Sequence, residues 1–471
     1  AIQALRQALP QDQVIEQGTD EFHKLNASYL SALQSDITPA CIVRPSSKEQ
    51  IVAFLRTIRP FIDRGEAAFA IRGAGQQPAP GCSNIQDGIT LDLGLLTGIE
   101  IKDGSVSIAA GERWGAVYEN LDAAGLGVTG ARSSRGGIGG LALQGGLSFF
   151  SSREGFICDN VLNYEIVLAS GEVVQANAHE NSDLWIALRG GANNFGVITR
   201  YDMRTFLQGP FWGGSVYYFA SSFPDQIDAL VSEVQKPDAT KETHLMISIG
   251  YHFGETMCQN QVYYTQSAEK PAVLEPFTAI QPQVDQLNSM RLQTLKEAAS
   301  EQASVAMDQL RCAYMNITVK ADVPTLQAAS DIYTAALEPI KPLEGLICSL
   351  TLQPYPVSLL KKSAARGGNS LGLDAANGPV VSVLLLTYWK NRSDDKKILD
   401  TMRVALENIE KDAESRGQSV PFRFMNYAFP FQDPVASYGA ENKQRLQDVS
   451  RKYDPEGVFQ KGVPGGFKLF T

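Results

Sequence analysis

The sequence predicts an α+β protein in two parts, and three observations carry that reading. The chain has 471 residues, which is too long for one ordinary hydrophobic core and enough for two domains or one domain with a large insertion. Between about residues 46 and 207, helical and strand patterns alternate in short units. From about Gly209 the text changes to long strands rich in β-branched and aromatic residues with helical stretches between them, the mark of a large antiparallel sheet covered by helices.

Each element of the first part has a local reason. "SSKEQIVAFLRTIRPFIDR" opens on a serine cap, places Glu49 in the first turn and repeats Ile51, Phe54, Leu55 and Ile58 at helical spacing. "AAFAIRG" reads as a buried strand running into a glycine loop. "ITLDLGLLTGIEI" and "SVSIAAG" read as strands separated by a Lys102-Asp103-Gly104 turn, and "RWGAVYENLDAAGLG" as a helix stopped by its glycines. "NVLNYEIVLASGEVVQAN" is a hairpin turning at Ser170-Gly171, and "DLWIALRGGANNFGVITRYDMRTF" a helix, a glycine turn and a strand. In the second part "WGGSVYYF", "HLMISIGYHF", "NQVYYTQ", "AYMNITVKA", "LICSLTLQPY" and "VVSVLLLTYW" are the strands. A last part from about Pro421 carries "FMNYAF", the helix "NKQRLQDVSRKY" and a glycine-rich tail. With no internal repeat and no low-complexity linker, the strand-rich part reads as an insertion into a compact body.

Composition narrows the function classes. With 44% hydrophobic and 20% charged residues and no long uncharged apolar run, the chain reads as globular, and a membrane-spanning reading is dropped. A net charge of −10 leaves no basic footprint for nucleic acid or an anionic membrane, so a small-molecule substrate is the expected partner. The cysteines at 41, 82, 158, 258, 312 and 348 stand singly and the histidines at 23, 179, 244 and 252 are scattered. No metal site is expected, and one or two disulfides are left open. The chain begins at Ala1 and carries sequons at Asn26, Asn316 and Asn391; secretion or passage through the secretory pathway is the expectation, with the cytoplasm as the alternative.

The glycines carry the chemistry. "GIGGLA", residues 137–142, matches the GxGxxA dinucleotide fingerprint, but "ARSSR" stands where a strand is required and no acidic residue closes a second strand near position 160. Glycine loops at 73–75, 136–146 and 190–196 suit something else. Successive free N–H groups bind a pyrophosphate, and bare backbone accepts a flat ring. Three tight turns in a glycine-rich β protein are the alternative. No GxSxG elbow precedes a usable Asp and His, which sets serine-hydrolase chemistry aside.

Several blocks in order, "CIVRPSSKEQI", "AIRGAGQQPAPGCSNI", "GERWGAVYENLDAAGLGVTGARSSRGGIGGLALQGGLSFFSSREGFICDNVLNYEIVLASGEVVQAN", "NSDLWIALRGGANNFGVITRYDM" and "MNYAF…YDPEGVF", resemble the vanillyl-alcohol-oxidase or PCMH-type FAD-binding flavoproteins. The branch they resemble is the fungal berberine-bridge-enzyme-like one. The resemblance implies a FAD-binding domain built from both chain ends, residues 1–207 and 415–471, and an inserted substrate domain, 208–414, whose sheet covers the isoalloxazine ring. It implies a pyrophosphate loop at Arg72, Gly73, Ala74, Gly75, Gln76 and Gln77. A segment beside the flavin and diphosphate falls at Ser133, Ser134, Gly136, Gly137, Gly139 and Gly140. Backbone contacts to the adenine half and the diphosphate fall at Asp159 and at Gly196, Val197 and Ile198, and a returning pair beside the ring at Asn426 and Tyr427.

The departures from that pattern decide the expectations. Gln76 stands where relatives carry the histidine that bonds the flavin, and Ser133 where some carry a second, cysteine anchor, so FAD is expected to be noncovalent; Cys82 and Cys158 are the conceivable substitutes, and Cys158 is expected to pack. Losing such a neighbour makes the flavin a weaker oxidant unless another charge compensates; Arg132 and Arg135 are the candidates, with exposure on a loop as the alternative. Gly136 falls at the family's oxygen gate and is expected to leave the ring face open, which points to an oxidase using O2. Tyr427 is the expected catalytic base, with core packing as the alternative. Gln353, Tyr355, Tyr388 and Trp389 are read as pocket walls or as core. The resulting expectation is an FAD-dependent oxidase acting on an apolar or phenolic small molecule of fungal secondary metabolism, by hydride transfer to flavin N5 and reoxidation by O2, as a monomer or homodimer. A carbohydrate or oligosaccharide oxidase is the alternative, and a non-redox cyclase or binding protein with a structural flavin is the alternative of another class.

Overall fold

Apolar periodicity divides the chain between two cores. The computed structural model describes residues 1–252, 254–307 and 309–470. Helix Lys48–Asp63, capped by Ser47, buries Ile51, Phe54, Leu55, Ile58 and Ile62, and the Phe54 ring meets Phe69 edge-on at 5.3 Å. Phe69 belongs to a four-stranded sheet ordered Val14–Glu16, Cys41–Val43, Ile89–Asp92, Phe69–Arg72, in which the last three strands run parallel. The expected strand over 89–101 is in fact two. The Asp92 carboxylate accepts from Gly94 N at 2.8 Å and turns the chain through Leu93–Leu95, so that Ile99–Lys102 enters a second, six-stranded sheet with Ser105–Ala109, Val197–Leu207, Val161–Val167, Val173–Asn177 and Leu126–Val128. The chain end returns to this body: Phe459 packs on Phe69 at 6.2 Å, and Val463, Phe467 and Leu469 join the same core.

The strand-rich middle forms an eight-stranded antiparallel sheet. Its order is Arg291–Gln293, Phe211–Phe219, Glu255–Tyr264, Thr243–His252, Ile347–Tyr355, Val380–Trp389, Arg311–Lys320, Ser419–Val420. The side-chain period of two sends Leu245, Ile247, Leu350, Leu352, Val383 and Leu385 to one face, where they form the second core with helices Phe223–Gln235, Val323–Ala336 and Asp395–Ser415. His244, Met246, Ser248, Thr351, Gln353 and Tyr388 take the opposite face. Two helices tie this insertion to the first body. Leu295–Ser304, started by a Thr294/Glu297 capping box, receives Ser134 N on Ala299 O at 2.9 Å. Val357–Ala365 lies on the turn Ser151–Glu154, where Ser363 binds Asp159.

No helix among the described residues is long and apolar enough to cross a membrane, and all six cysteines are free thiols. Two of the three sequon asparagines are used inside the fold. Asn316, fully buried, donates to Phe424 O at 3.0 Å, and Asn26 donates to Ser35 O and Ile37 O at 2.9 and 3.1 Å.

Candidate cofactor groove and active site

The loop after strand Phe69–Arg72 is shaped by Arg72 from below. That guanidinium is buried, donating to Leu25 O at 2.8 Å and Ser28 Oγ at 2.6 Å, 3.9 Å from the Tyr29 ring centre and 3.5 Å from Asp92. It is therefore a scaffold for the loop rather than a hand extended to a ligand. Gly75 has φ +66° and a Cβ there would stand 2.9 Å from Tyr29, so this turn needs glycine. The N–H groups of 73–77 donate to no backbone carbonyl among the described residues. Gln77 takes Gln144 Nε2 on its Oε1 at 3.0 Å and reaches Met425 O at 3.5 Å, joining three chain segments. Among the described residues Gln76 reaches only Ala74 O, at 3.4 Å.

The second glycine segment forms the facing wall. A Cβ on Gly137 would lie 2.7 Å from the Ala74 Cβ, so the walls touch there, whereas a Cβ on Gly73 or Gly140 would point into open space. "GIGGLA" becomes a short helix, Gly139–Leu143, entered from a turn and not from a strand. Asn426 clamps this segment, taking Gly146 N on its Oδ1 at 3.1 Å. Ser133 O accepts from Gly136 N at 3.2 Å, and the half-buried Ser133 and Ser134 line the same segment. Gly136 is a correction: a Cβ there would meet Ala131, Ser133 O and Trp114 at 3.3–3.5 Å. The space beside it belongs to this chain, so its lack of a side chain opens no path to a ring face. Arg113, unforeseen as a site residue though present in the "GERWG" block, reaches Ala74 O at 3.4 Å. Burial, then repulsion from Arg72 and Arg135, holds its guanidinium below the usual arginine range. Unfilled amide donors, space for a ligand and the cations Arg113 and Arg135 fit an anionic dinucleotide such as FAD.

Where the groove meets the inserted sheet, four side chains from distant positions converge. Arg132 Nη2 donates to Tyr427 Oη, and its Nη1 donates to Gln353 Oε1 at 2.8 Å and lies 3.4 Å from His244 Nε2. Tyr427 Oη donates to the same Gln353 Oε1 at 3.3 Å. Tyr314 and Phe424 meet the Tyr427 ring edge-on at 5.9 and 4.9 Å and fix its plane. Burial, then the Arg132 cation, keeps His244 neutral, well below the ordinary histidine range. A phenol held between a cation and an amide is placed to exchange a proton at Oη.

Residues 39–177 match the model of the FAD binding domain family. Over 450 residues the chain is 35% identical to the FAD-dependent monooxygenase tpcD of Cochliobolus heterostrophus, covering 93% of this chain and 86% of that protein. The chain belongs to the PCMH-type FAD-dependent oxidoreductases. Solved structures share the fold: BBE-like 1 of Physcomitrella patens, at TM-score 0.81 and 17% identity over 100% of both chains, and the xylooligosaccharide oxidase of Myceliophthora thermophila, at TM-score 0.77 and 19% identity over 97% of this chain and 98% of that one.

Other expected site residues of the oxidoreductase lie elsewhere. Asp159 is 2% exposed; its carboxylate takes Phe156 N and Asn369 Nδ2, both at 2.8 Å, and Ser363 Oγ, and its own N–H goes to Phe156 O. Its carboxylate and its N–H lock this turn. Gly196 and Ile198 are buried in the first core, Ile198 paired with Ile166 and a Gly196 Cβ direction filled by Ile166. Tyr355 faces the first body but is sealed among Phe156, Phe422 and Phe424. Trp389 falls on the helix-covered face, its Nε1 bound to Asp395 at 2.7 Å. Both are core, because the strand period and the aromatic neighbours override the aromatic identity. Tyr388 stays on the cleft side, beside Cys312 and Tyr314. The sequence reading missed Met246, Ser248, Gln259 and Thr351 on that face. Ser248 and Thr351 are hydrogen-bonded at 2.9 Å, and the period of two along each strand is the signal that places them together.

Proposed function

We propose that the enzyme is an oxidase that holds FAD noncovalently and oxidises an amphipathic phenolic or benzylic small molecule of fungal secondary metabolism, passing the electrons on to O2. The convergence of Arg132, Gln353 and Tyr427 at the mouth of the glycine groove carries the reading. Bound FAD supplies a two-electron acceptor. Tyr427 Oη takes the substrate hydroxyl proton as it passes its own to Gln353, Arg132 holds the phenol oxygen through Nη2, and Gln353 fixes the direction of the phenol O–H. Met246, Leu386, Tyr314 and Tyr388 offer the substrate an apolar and aromatic side, and Ser248 and Thr351 a polar one.

Noncovalent attachment rests on the absence of a nucleophile at the two anchor positions, Gln76 and Ser133. Burial pushes the Cys82 thiol up to about 12 and Cys158 well above the ordinary range, so neither offers a thiolate. An oxidase draws its electrons from its own substrate. A monooxygenase that borrows them from a nicotinamide needs a second nucleotide site, and "GIGGLA" lacks the strand of such a site.

The hydroxyl and amide row Ser248, Thr351 and Gln259 favours a second reading, an oligosaccharide oxidase. The two are separated by mixing the holoenzyme anaerobically with benzylic alcohols and phenols, and separately with xylo- and cello-oligosaccharides, then admitting air. Bleaching of the flavin band by the aromatic set, with peroxide formed on aeration, supports the first reading. Bleaching by sugars alone replaces it with the second, and product formed over an oxidised flavin assigns the protein to non-redox chemistry.

A further inference from the structure

A small cavity of about 30 Å³ lies on the far side of the Arg132 cluster, walled by Gln353 and His244 at one end. At ~10–15 Å³ per molecule it holds about two waters. Its other walls are mixed: Ser148 and Ser151 from the first body, buried Glu233 from helix Phe223–Gln235, and Thr240 are polar, and Leu147, Val234, Leu245, Pro356 and Leu359 are apolar. Ser152, Ala239 and Thr240 are only half-buried, so the lining runs from the cluster to the surface. Gln353 Nε2 has no acceptor among the described residues, while its Oε1 already receives the Tyr427 O–H and Arg132. The groups around the His244 ring are Arg132, Tyr263 at 5.9 Å between rings, the Phe149 ring, and Glu233 across the cavity, which is itself paired with Lys236.

We propose that this cavity is a water-filled proton exit for Tyr427, with His244 as a positioning residue that holds Arg132 against the phenol from the cavity side. The proposal rests on Tyr427 acting as the base. In the reductive half-reaction the substrate loses a hydride to the cofactor and its hydroxyl proton to Tyr427 Oη, while the proton that Oη held before goes to Gln353 Oε1, Gln353 Nε2 gives one to the cavity water and so to solvent, and the amide re-forms from its imidic-acid tautomer. One proton is released per substrate oxidised, and O2 takes it up again, together with the two electrons and the transferred hydrogen, when peroxide forms. The cavity serves the first of these movements, since Tyr427 points its O–H toward Gln353.

The test has two arms. A crystal structure of the holoenzyme is expected to show ordered water bonded to His244 and to Gln353; a dry cavity overturns the proposal whatever the substrate proves to be. In the second arm, anaerobic bleaching by an active benzylic alcohol is followed together with a pH-indicator dye in weak buffer. Wild-type enzyme is expected to release its proton in step with bleaching. Ala239→Phe, which fills the outer end, and His244→Leu are expected to delay release about tenfold or more, and His244→Gln, which keeps an acceptor for Arg132, to restore most of the rate. Release at the wild-type rate from Ala239→Phe overturns the exit. If no alcohol bleaches the wild-type flavin, the proposed function fails, and the crystallographic water still decides the cavity.

Discussion

The cofactor groove and the catalytic cluster are built from opposite materials. The groove is backbone: two short glycine-rich stretches, 73–77 and 133–146, whose walls come so close at Gly137 and Ala74 that a Cβ does not fit. The cluster is side chain: Arg132, His244, Gln353 and Tyr427 from four separate segments. A surface that binds through amides is tolerant of side-chain identity except where a Cβ intrudes. A cluster that moves a proton depends on each atom. Substitutions in the two regions therefore differ in kind, with the cluster losing rate at constant cofactor content and the groove losing cofactor.

The largest effect falls in the cluster. Tyr427→Phe removes the proton-handling oxygen and is expected to slow anaerobic bleaching by ~10²–10⁴-fold while the protein remains yellow; equal loss of colour and rate would erase the contrast. In the groove, Gly137→Ala must push Ala74 aside and is expected to weaken FAD binding about tenfold or more, read as FAD lost on gel filtration. Gly73→Ala meets no protein atom, so apoprotein melting is expected to hold while FAD affinity falls; unchanged affinity would move the cofactor off this wall.

Smaller effects lie outside both regions. Trp389→Phe breaks the bond to Asp395 on the helix-covered face and is expected to cost about 1–3 kcal/mol of stability with KM unchanged. Lys468, whose Nζ reaches Asn193 beside the third glycine loop at 3.2 Å, is brought by burial to about 7. Its folded value lies below its unfolded one, so the unfolded chain binds more protons between about pH 7 and 10.5 and stability rises with pH across that window. Lys468→Met is expected to flatten the rise in urea melts and to stabilise the protein at pH 7. The smallest effect is Gln76→Ala, which loses one long contact within its own loop.

This contrast also explains what was legible in the sequence. Glycine is required where a Cβ would clash or φ is positive, so Gly75 and Gly137 stand out in the text, and the helix Lys48–Asp63 and the hairpin 161–177 follow from spacing and turns. The pocket did not read as well, because aromatic identity does not say which face of a strand a residue takes. Trp389 and Tyr388 are neighbours in sequence and lie on opposite faces, and Tyr355 is sealed by Phe424 from the returning chain. His244 carried no signal of its own; only the fold sets it beside Arg132. Arg72 and Asp159 were legible as important, and the fold adds that their side chains hold the chain to itself.

The claim that the flavin is held noncovalently is tested most directly by precipitating the yellow holoenzyme with acid and comparing supernatant with pellet. The account predicts that the colour leaves with the supernatant as intact FAD. Colour fixed in the pellet, with a flavin-bearing peptide after digestion, would contradict it.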